Sequence, residues 1–287
     1  MKNSILETVL DPSELSVRFQ PIFQIEGGSR RVHSVEGLIR GPAGTQFERA
    51  DILFDYVRRK KAEAAVDRSC LTAICEAAAS LPSSVRININ VHAVTLGQNS
   101  GFVDYFLRHV RKQFLAPERF TLEIVEHAPT CNIPELTNSI AKARESGVRI
   151  ALDDVGLGQT NYRMMLDCHP EYFKLDAYFV QGLITDSKRR AVVASLVALA
   201  KALESSVVAE GVAAHDDLMQ LETMGVEFAQ ANLLCPAIPL KKLLAAGYFD
   251  DPASSTPAWP QTGTQPVHAF AQREIPLSLA AGESFYT

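Results

Sequence analysis

Eight short β-branched or aromatic runs, separated from the second onward by segments of helical period, constrain this chain more than any other feature. They read as strands at VRFQPIFQI (17–25), RVHSVEGLIR (31–40), VRININV (85–91), RFTLEIVE (119–126), VRIALDD (148–154), YFKLD (172–176), SVVAEGV (206–212) and VEFAQANLL (226–234). Between them lie ILFDYVRRKKAEAAVDRSCLTAICEAAASL, FVDYFLRHVRKQFL, IPELTNSIAKARESG, RRAVVASLVALAKALESS and HDDLMQLETMG, each with apolar residues at helical spacing. Such alternation predicts parallel strands joined by crossover helices, since a parallel pair cannot be closed by a tight turn. Eight strands of this kind favour a closed α/β barrel over an open sheet, and 287 residues suffice for one. Only EGGSRR joins the first two runs, so they are read as a hairpin that gives the barrel one antiparallel member.

In a barrel of this class the chemistry sits at the carboxyl ends of the strands. Glu36 lies late in the second run, Asn90 in the third, Glu123 and Glu126 in the fourth, and Asp153 with Asp154 ends the fifth. Lys174 follows late in the sixth, Glu210 in the seventh and Gln230 in the eighth. Singly, each has an ordinary explanation as a turn residue or a snorkelling strand end. Together, seven consecutive strands bring a carboxylate, amide or ammonium to one rim, which points to a shared site.

The adjacent pair in LDDVG poses the sharpest question. Neighbours within a strand face opposite sides of the sheet, so two mid-strand acids cannot act on one object. At a strand end the alternation relaxes and both can turn to a common cation, which also relieves their repulsion. The set is oxygen-rich, without a His or Cys cluster, and suits Mg²⁺ or Mn²⁺. Two such ions about 3.5–4 Å apart can bridge an attacking water and a phosphoryl oxygen, so phosphodiester hydrolysis is the expected reaction class.

Composition excludes other classes. A net charge of −5 argues against wholesale phosphate-backbone binding, and the basic run Arg58-Arg59-Lys60-Lys61 reads as a solvated helix face, so no direct DNA binding is expected. No apolar run reaches the roughly 18 residues of a membrane span, and MKNSILETVLDPSEL lacks a signal-peptide core. Five scattered cysteines without a CxxC pair read as reduced thiols, giving the expectation of a cytoplasmic protein without a membrane partner. Residues 1–14 read as an extension too short for a sensory domain, 15–248 as the barrel domain, and 249–287, rich in Pro, Ser, Thr and Gly, as a flexible tail.

These motifs, in this order, resemble the EAL-domain family of bacterial cyclic di-GMP phosphodiesterases. The resemblance runs from FQPIF (19–23) through VEGLIR (35–40), where the family signature reads Glu36-Gly37-Leu38, then NINVHAVTL (88–96), LEIVE (122–126), LDDVG (152–156), FKLD (173–176), VVAEGV (207–212) and AQANLL (229–234). The fold it implies is a TIM-like (β/α)8 barrel with one antiparallel strand. It further implies that Glu36, Asn90, Glu123 and Asp153 hold one Mg²⁺ or Mn²⁺ ion and that Asp153 bridges to a second, held with Asp154. Glu210 then belongs with the second ion and the attacking water, Lys174 orients that water, and Gln230 is a polar partner of the cluster. Gln20 and Arg40 are implied on the substrate side, Arg40 at a phosphate, and Glu126 as the anchor of the loop after the paired aspartates. The implied reaction opens cyclic di-GMP to linear pGpG.

The departures surround the implied ligands. Where the family resembles DDFGTGYSS, this chain has DDVGLGQTN, with Val155, Leu157 and Gln159-Thr160-Asn161 replacing Phe, Thr and Tyr-Ser-Ser. The signature Ala is Gly37, and Ala213, Ala231 and Pro236 replace a Glu, a Gly and an Arg. Losses around a metal site typically cost about 10- to 100-fold without abolishing it. The expected function is a weak or conditionally active cyclic di-GMP phosphodiesterase. The alternative is a regulator that binds the nucleotide or a protein partner, such as a transcription regulator, and acts on gene expression indirectly. A homodimer is a further expectation from the resemblance.

Overall fold

The computed structural model describes residues 4–28, 30–98, 101–125, 132–157 and 162–249. The loop anchor Glu126, the Gln159-Thr160-Asn161 segment and the tail from residue 250 lie outside the described residues.

Nine strands form one sheet: β1 (Ser16–Gln24), β2 (Arg31–Arg40), β3 (Arg86–His92), β4 (Phe120–Val125), β5 (Arg149–Val155), β6 (Tyr172–Leu175), β7 (Ser206–Glu210), β8 (Phe228–Gln230) and β9 (Ile238–Pro239). They run in chain order from β2 to β8, then β1, and a further β1–β2 pairing closes the barrel, with β9 laid against β1. All neighbours from β2 to β8 are parallel, and β1 is antiparallel to β2, β8 and β9. The hairpin expected from EGGSRR is therefore present, and Gly27 and Gly28 turn it at φ 66° and 75°, values that carry no steric cost only for glycine.

Three local readings change. The last run, read as a strand over 226–234, is extended only at Phe228–Gln230, because the chain then turns, with the Leu234 and Cys235 N–H groups both bonding the Ala231 carbonyl. Its apolar residues pack from a turn, which hydrophobicity cannot distinguish from a buried strand. The long helical segment after β2 is two helices, Ala50–Arg59 and Glu63–Ala78, parted where Lys61 takes φ 54°. The short β9 carried no sequence signal.

Inside the barrel the inward side chains stack in layers. Ile22, Ala151, Tyr172, Val208 and Phe228 form a buried plug. Two residues further towards the opposite end of each strand come Gln20, Asp153, Lys174, Glu210 and Gln230. The period-two alternation of a strand thus puts an apolar floor directly beneath a polar layer. Helices on the outside bury Phe102, Phe106, Leu71 and Ile74 against the sheet. Before β1, the Ile5–Val9 helix, closed by a Ser4/Glu7 capping box, buries Val9, while Ser69 donates to the Leu10 carbonyl at 2.6 Å. Among the described residues no helix is long and apolar enough to cross a membrane.

Candidate active site

The polar layer is organised around one ammonium. Lys174 Nζ lies 2.6 Å from Glu123 Oε2, 2.6 Å from Glu210 Oε1, 3.4 Å from Asp153 Oδ1 and 3.5 Å from Glu36 Oε2. Lys174 is 2% exposed and Glu123 fully buried, so each depends on the other, since an unpaired charge at such depth would be expelled or neutralised. Asn90 donates to Glu36 Oε1 at 2.5 Å and Gln230 to Oε2 at 2.7 Å, which engages both of its oxygens.

Titration follows this geometry. Burial pushes Glu36 upwards, but Lys174 and the bonds from Gln230 and Asn90 overcome it and hold the carboxyl below its usual range. Burial and the Glu36 charge push Glu123 up to about 8 against the pull of Lys174. Burial likewise drives Glu210 well up, opposed by Lys174 and reinforced by Asp153. Burial would depress Lys174, yet Asp153, Glu123, Glu210 and Glu36 together raise it well above an ordinary lysine. Four carboxylates facing one ammonium therefore retain a proton that isolated acids would have lost.

The paired aspartates meet through a bulge. Leu152 is opposite Phe173 and Val155 opposite Leu175, so Asp153 and Asp154 together stand against Lys174 alone. Asp154 takes φ 53°, and the Leu157 N–H closes the turn onto its carbonyl at 3.0 Å. A bulge with one residue in the left-handed region re-aims a side chain, which is how two neighbours come to share a face inside the strand and not merely at its end. Ligand atoms of Asp153, Asp154 and Glu210 all lie within 4.8 Å of one another. Three carboxylates at this spacing can hold a hard divalent cation. The Oε1 atom of Gln230, in the same layer, is buried without a hydrogen-bond partner among the described residues.

A cavity of about 270 Å³ opens over this layer, lined by Gln20, Glu36, Leu38, Asp153, Lys174, Glu210, Gly211, Gln230, Ala231 and Asn232. Gln20 Nε2 reaches Asn232 Oδ1 at 3.3 Å and the Cys235 carbonyl at 3.2 Å, and its Oε1 accepts from Gln230 at 3.3 Å. Nine sequence-derived candidates are thus brought together: Gln20, Glu36, Asn90, Glu123, Asp153, Asp154, Lys174, Glu210 and Gln230. Arg40 is not among them. It lines a second cavity of about 290 Å³ with Arg18 and Arg49.

Asn88 was missed. It donates to Glu123 Oε1 at 2.6 Å, on the oxygen that Lys174 leaves open. The signal was present in NIN, where period two puts Asn88 on the same face as Asn90. Gly37, in place of the signature Ala, leaves room for a neighbouring helix: a Cβ there would come within 2.9 Å of Ile74 Cγ2. Val155 is fully buried and Leu157 packs on the core, so both loop replacements fill apolar space.

Fold and site together define a TIM-like barrel carrying an acidic, lysine-centred cavity at the carboxyl ends of its parallel strands. The EAL domain family model matches residues 3–237, and the chain belongs to that family. Among its relatives, the probable cyclic di-GMP phosphodiesterase PdeA of Escherichia coli strain K12 is 27% identical over 238 residues, which cover 82% of this chain and 32% of that protein. The blue light- and temperature-regulated antirepressor BluF of the same strain is 25% identical over 151 residues, covering 53% of this chain and 38% of BluF. The chain thus spans about a third of the length of these curated relatives. Of solved structures, the PaMucR phosphodiesterase in its c-di-GMP complex superposes with a TM-score of 0.71 at 23% identity, over 80% of this chain and 99% of that one, a likeness of fold.

Proposed function

We propose that this barrel is a metal-dependent phosphodiesterase that opens cyclic di-GMP to linear pGpG, with weak or conditional turnover. The observation that carries the reading is the convergence of Asp153, Asp154 and Glu210 within 4.8 Å beside a buried lysine, in a cavity at the strand ends. The names of PdeA and of the PaMucR complex support the substrate class.

In this reading Glu36, Asn90, Glu123 and Asp153 hold one Mg²⁺ or Mn²⁺ ion, and Asp153 and Asp154 a second beside Glu210. Such ions, when bound, polarise a phosphoryl oxygen and lower the pKa of water. The rest falls to the protein. Lys174 holds Glu123, Glu210, Asp153 and Glu36 in register by its ammonium, fixing the acids before substrate arrives. Glu210 and Lys174, whose Oε1 and Nζ lie 2.6 Å apart, orient the attacking water. Gln20 and Gln230 offer amides to the substrate from the cavity wall, and Arg40 binds a phosphate from the neighbouring cavity. Conditional turnover rests on the apolar replacements Val155 and Leu157 directly after the aspartates.

The BluF relationship favours one second reading, a regulator that binds the nucleotide or a protein partner. Purified protein is assayed for cyclic di-GMP binding and for pGpG formation, with Mn²⁺ or Mg²⁺ and with chelator. Metal-dependent pGpG supports the enzyme, while binding without product in any metal overturns it in favour of the regulator.

A further inference from the structure

The motif NIN on β3 serves the acids of both flanking strands. In register, Asn88 lies beside Glu36 of β2, and Asn90 beside Glu123 of β4. The hydrogen bonds cross these pairs. Asn90 donates to Glu36 Oε1 at 2.5 Å and Asn88 to Glu123 Oε1 at 2.6 Å, so each amide reaches the acid diagonal to it. Glu36 and Glu123 start about 7 Å apart along the strand direction, the rise of two residues. The crossed bonds draw the first forward and the second back, and both carboxylates meet the Lys174 ammonium, at 3.5 and 2.6 Å.

Asn88 is costly to keep. It is buried, and its Oδ1 atom has no hydrogen-bond partner among the described residues. An orphaned buried acceptor destabilises, and an apolar side chain of similar shape would avoid that penalty if packing alone were at stake. Among the described residues the Asn88 side chain bonds Glu123 alone. The other oxygen of Glu123 is taken by Lys174 at 2.6 Å, so both oxygens are fixed, and each keeps a lone pair for a cation. Lys174 is shared among Glu36, Glu123, Asp153 and Glu210. One ammonium divided in this way does not set the rotation of any single carboxylate, whereas an amide given wholly to Glu123 does.

We propose that Asn88 is the positioning residue for Glu123, fixing the rotation of that carboxylate and thereby setting how tightly the first divalent ion is held. The role rests on the phosphodiesterase reading above, in which Glu123 is a ligand of that ion. A group that bonds a ligating carboxylate orients it and raises metal affinity without touching the ion. β3 is then a double support, with Asn90 holding Glu36 and Asn88 holding Glu123. Loss of the Asn88 amide is felt at the metal and not at the nucleotide.

The test uses the full chain as wild type and three variants. Asn88→Leu keeps the volume and removes the donor. Asn88→Ser removes it by shortening and decides the question if the first variant does not fold, and Asn88→Gln retains an amide. Mn²⁺ binding is titrated without nucleotide from the electron paramagnetic resonance signal of the free ion, and urea unfolding in chelator reports the fold. Asn88→Leu and Asn88→Ser are expected to bind Mn²⁺ roughly ten- to a hundredfold more weakly, with part of the loss recovered in Asn88→Gln. The Mn²⁺ concentration for half-maximal pGpG formation rises in parallel, while KM for cyclic di-GMP at saturating Mn²⁺ stays that of the wild type. Wild-type Mn²⁺ affinity in folded Asn88→Leu or Asn88→Ser overturns the role of Asn88 alone, as does a loss that all three variants share equally. A wild type that binds no Mn²⁺ overturns it together with the functional reading.

Discussion

Lys174 Nζ lies 2.6 Å from Oε2 of Glu123, and neither side chain is more than 2% exposed. Removing one partner of such a pair leaves the other buried and uncompensated, which typically costs about 3–5 kcal/mol. Lys174→Met is expected to lose stability on this scale in chelator, by urea unfolding. Because divalent ions neutralise the same carboxylates, Mn²⁺ is expected to stabilise Lys174→Met more than the wild type.

The metal-free cluster carries more acid than base, and its stability depends on pH accordingly. Glu123 is raised from 4.5 to about 8, chiefly by burial and the Glu36 charge. Its contribution is fully present below pH 4.5 and is lost as pH rises through about 8, since the folded state binds the extra proton in that window. Metal binding displaces the proton, so calorimetry in buffers of different ionisation enthalpy is expected to show more protons released per ion at pH 6.5 than at pH 9.

At the opposite end of the barrel the sign reverses. His33 stacks on Phe228 with ring centroids 4.1 Å apart and meets the Tyr172 hydroxyl at 3.0 Å. Burial, then Arg86 and Arg149, lowers its pKa from 6.5 to about 4. The neutral ring therefore contributes stability above pH 6.5 that is lost as pH falls through about 4. His33→Gln is expected to flatten the acid limb of the stability profile between those values, and an unchanged limb would place the titration elsewhere.

Much of this architecture was legible because it rests on periodicity. The alternation of runs gave the barrel, EGGSRR gave its antiparallel member, and polar residues late in consecutive strands gave eight members of one cluster, with Gln20 added by the family resemblance. What periodicity does not encode was missed. The break at Lys61 and the turn after Gln230 leave the apolar pattern intact, so only backbone geometry reveals them. The bulge that lets Asp153 and Asp154 share a face is a register shift, invisible in the string LDD. The separation of Arg40 from the acidic cavity depends on a strand's length, and Asn88 was passed over although it shares the face of Asn90.

The Gly37–Ile74 contact is another feature that the string cannot show. A methyl at position 37 would meet three Ile74 side-chain atoms at 2.9–3.0 Å. Overpacking of this kind typically costs about 1–3 kcal/mol. Gly37→Ala is expected to destabilise by that amount, and adding Ile74→Val to recover part of it. A double-mutant cycle with no coupling would show that the two residues do not compete for this space.

The central claim is that the acidic cavity performs hydrolysis with Glu210 at the attacking water. Single-turnover conversion of cyclic di-GMP to pGpG with Mn²⁺, comparing wild type with Glu210→Gln, tests it most directly. The account predicts measurable pGpG from the wild type and a rate at least about a hundredfold lower in Glu210→Gln. Equal rates in the two proteins, or no pGpG from a wild type that binds the nucleotide, would contradict it.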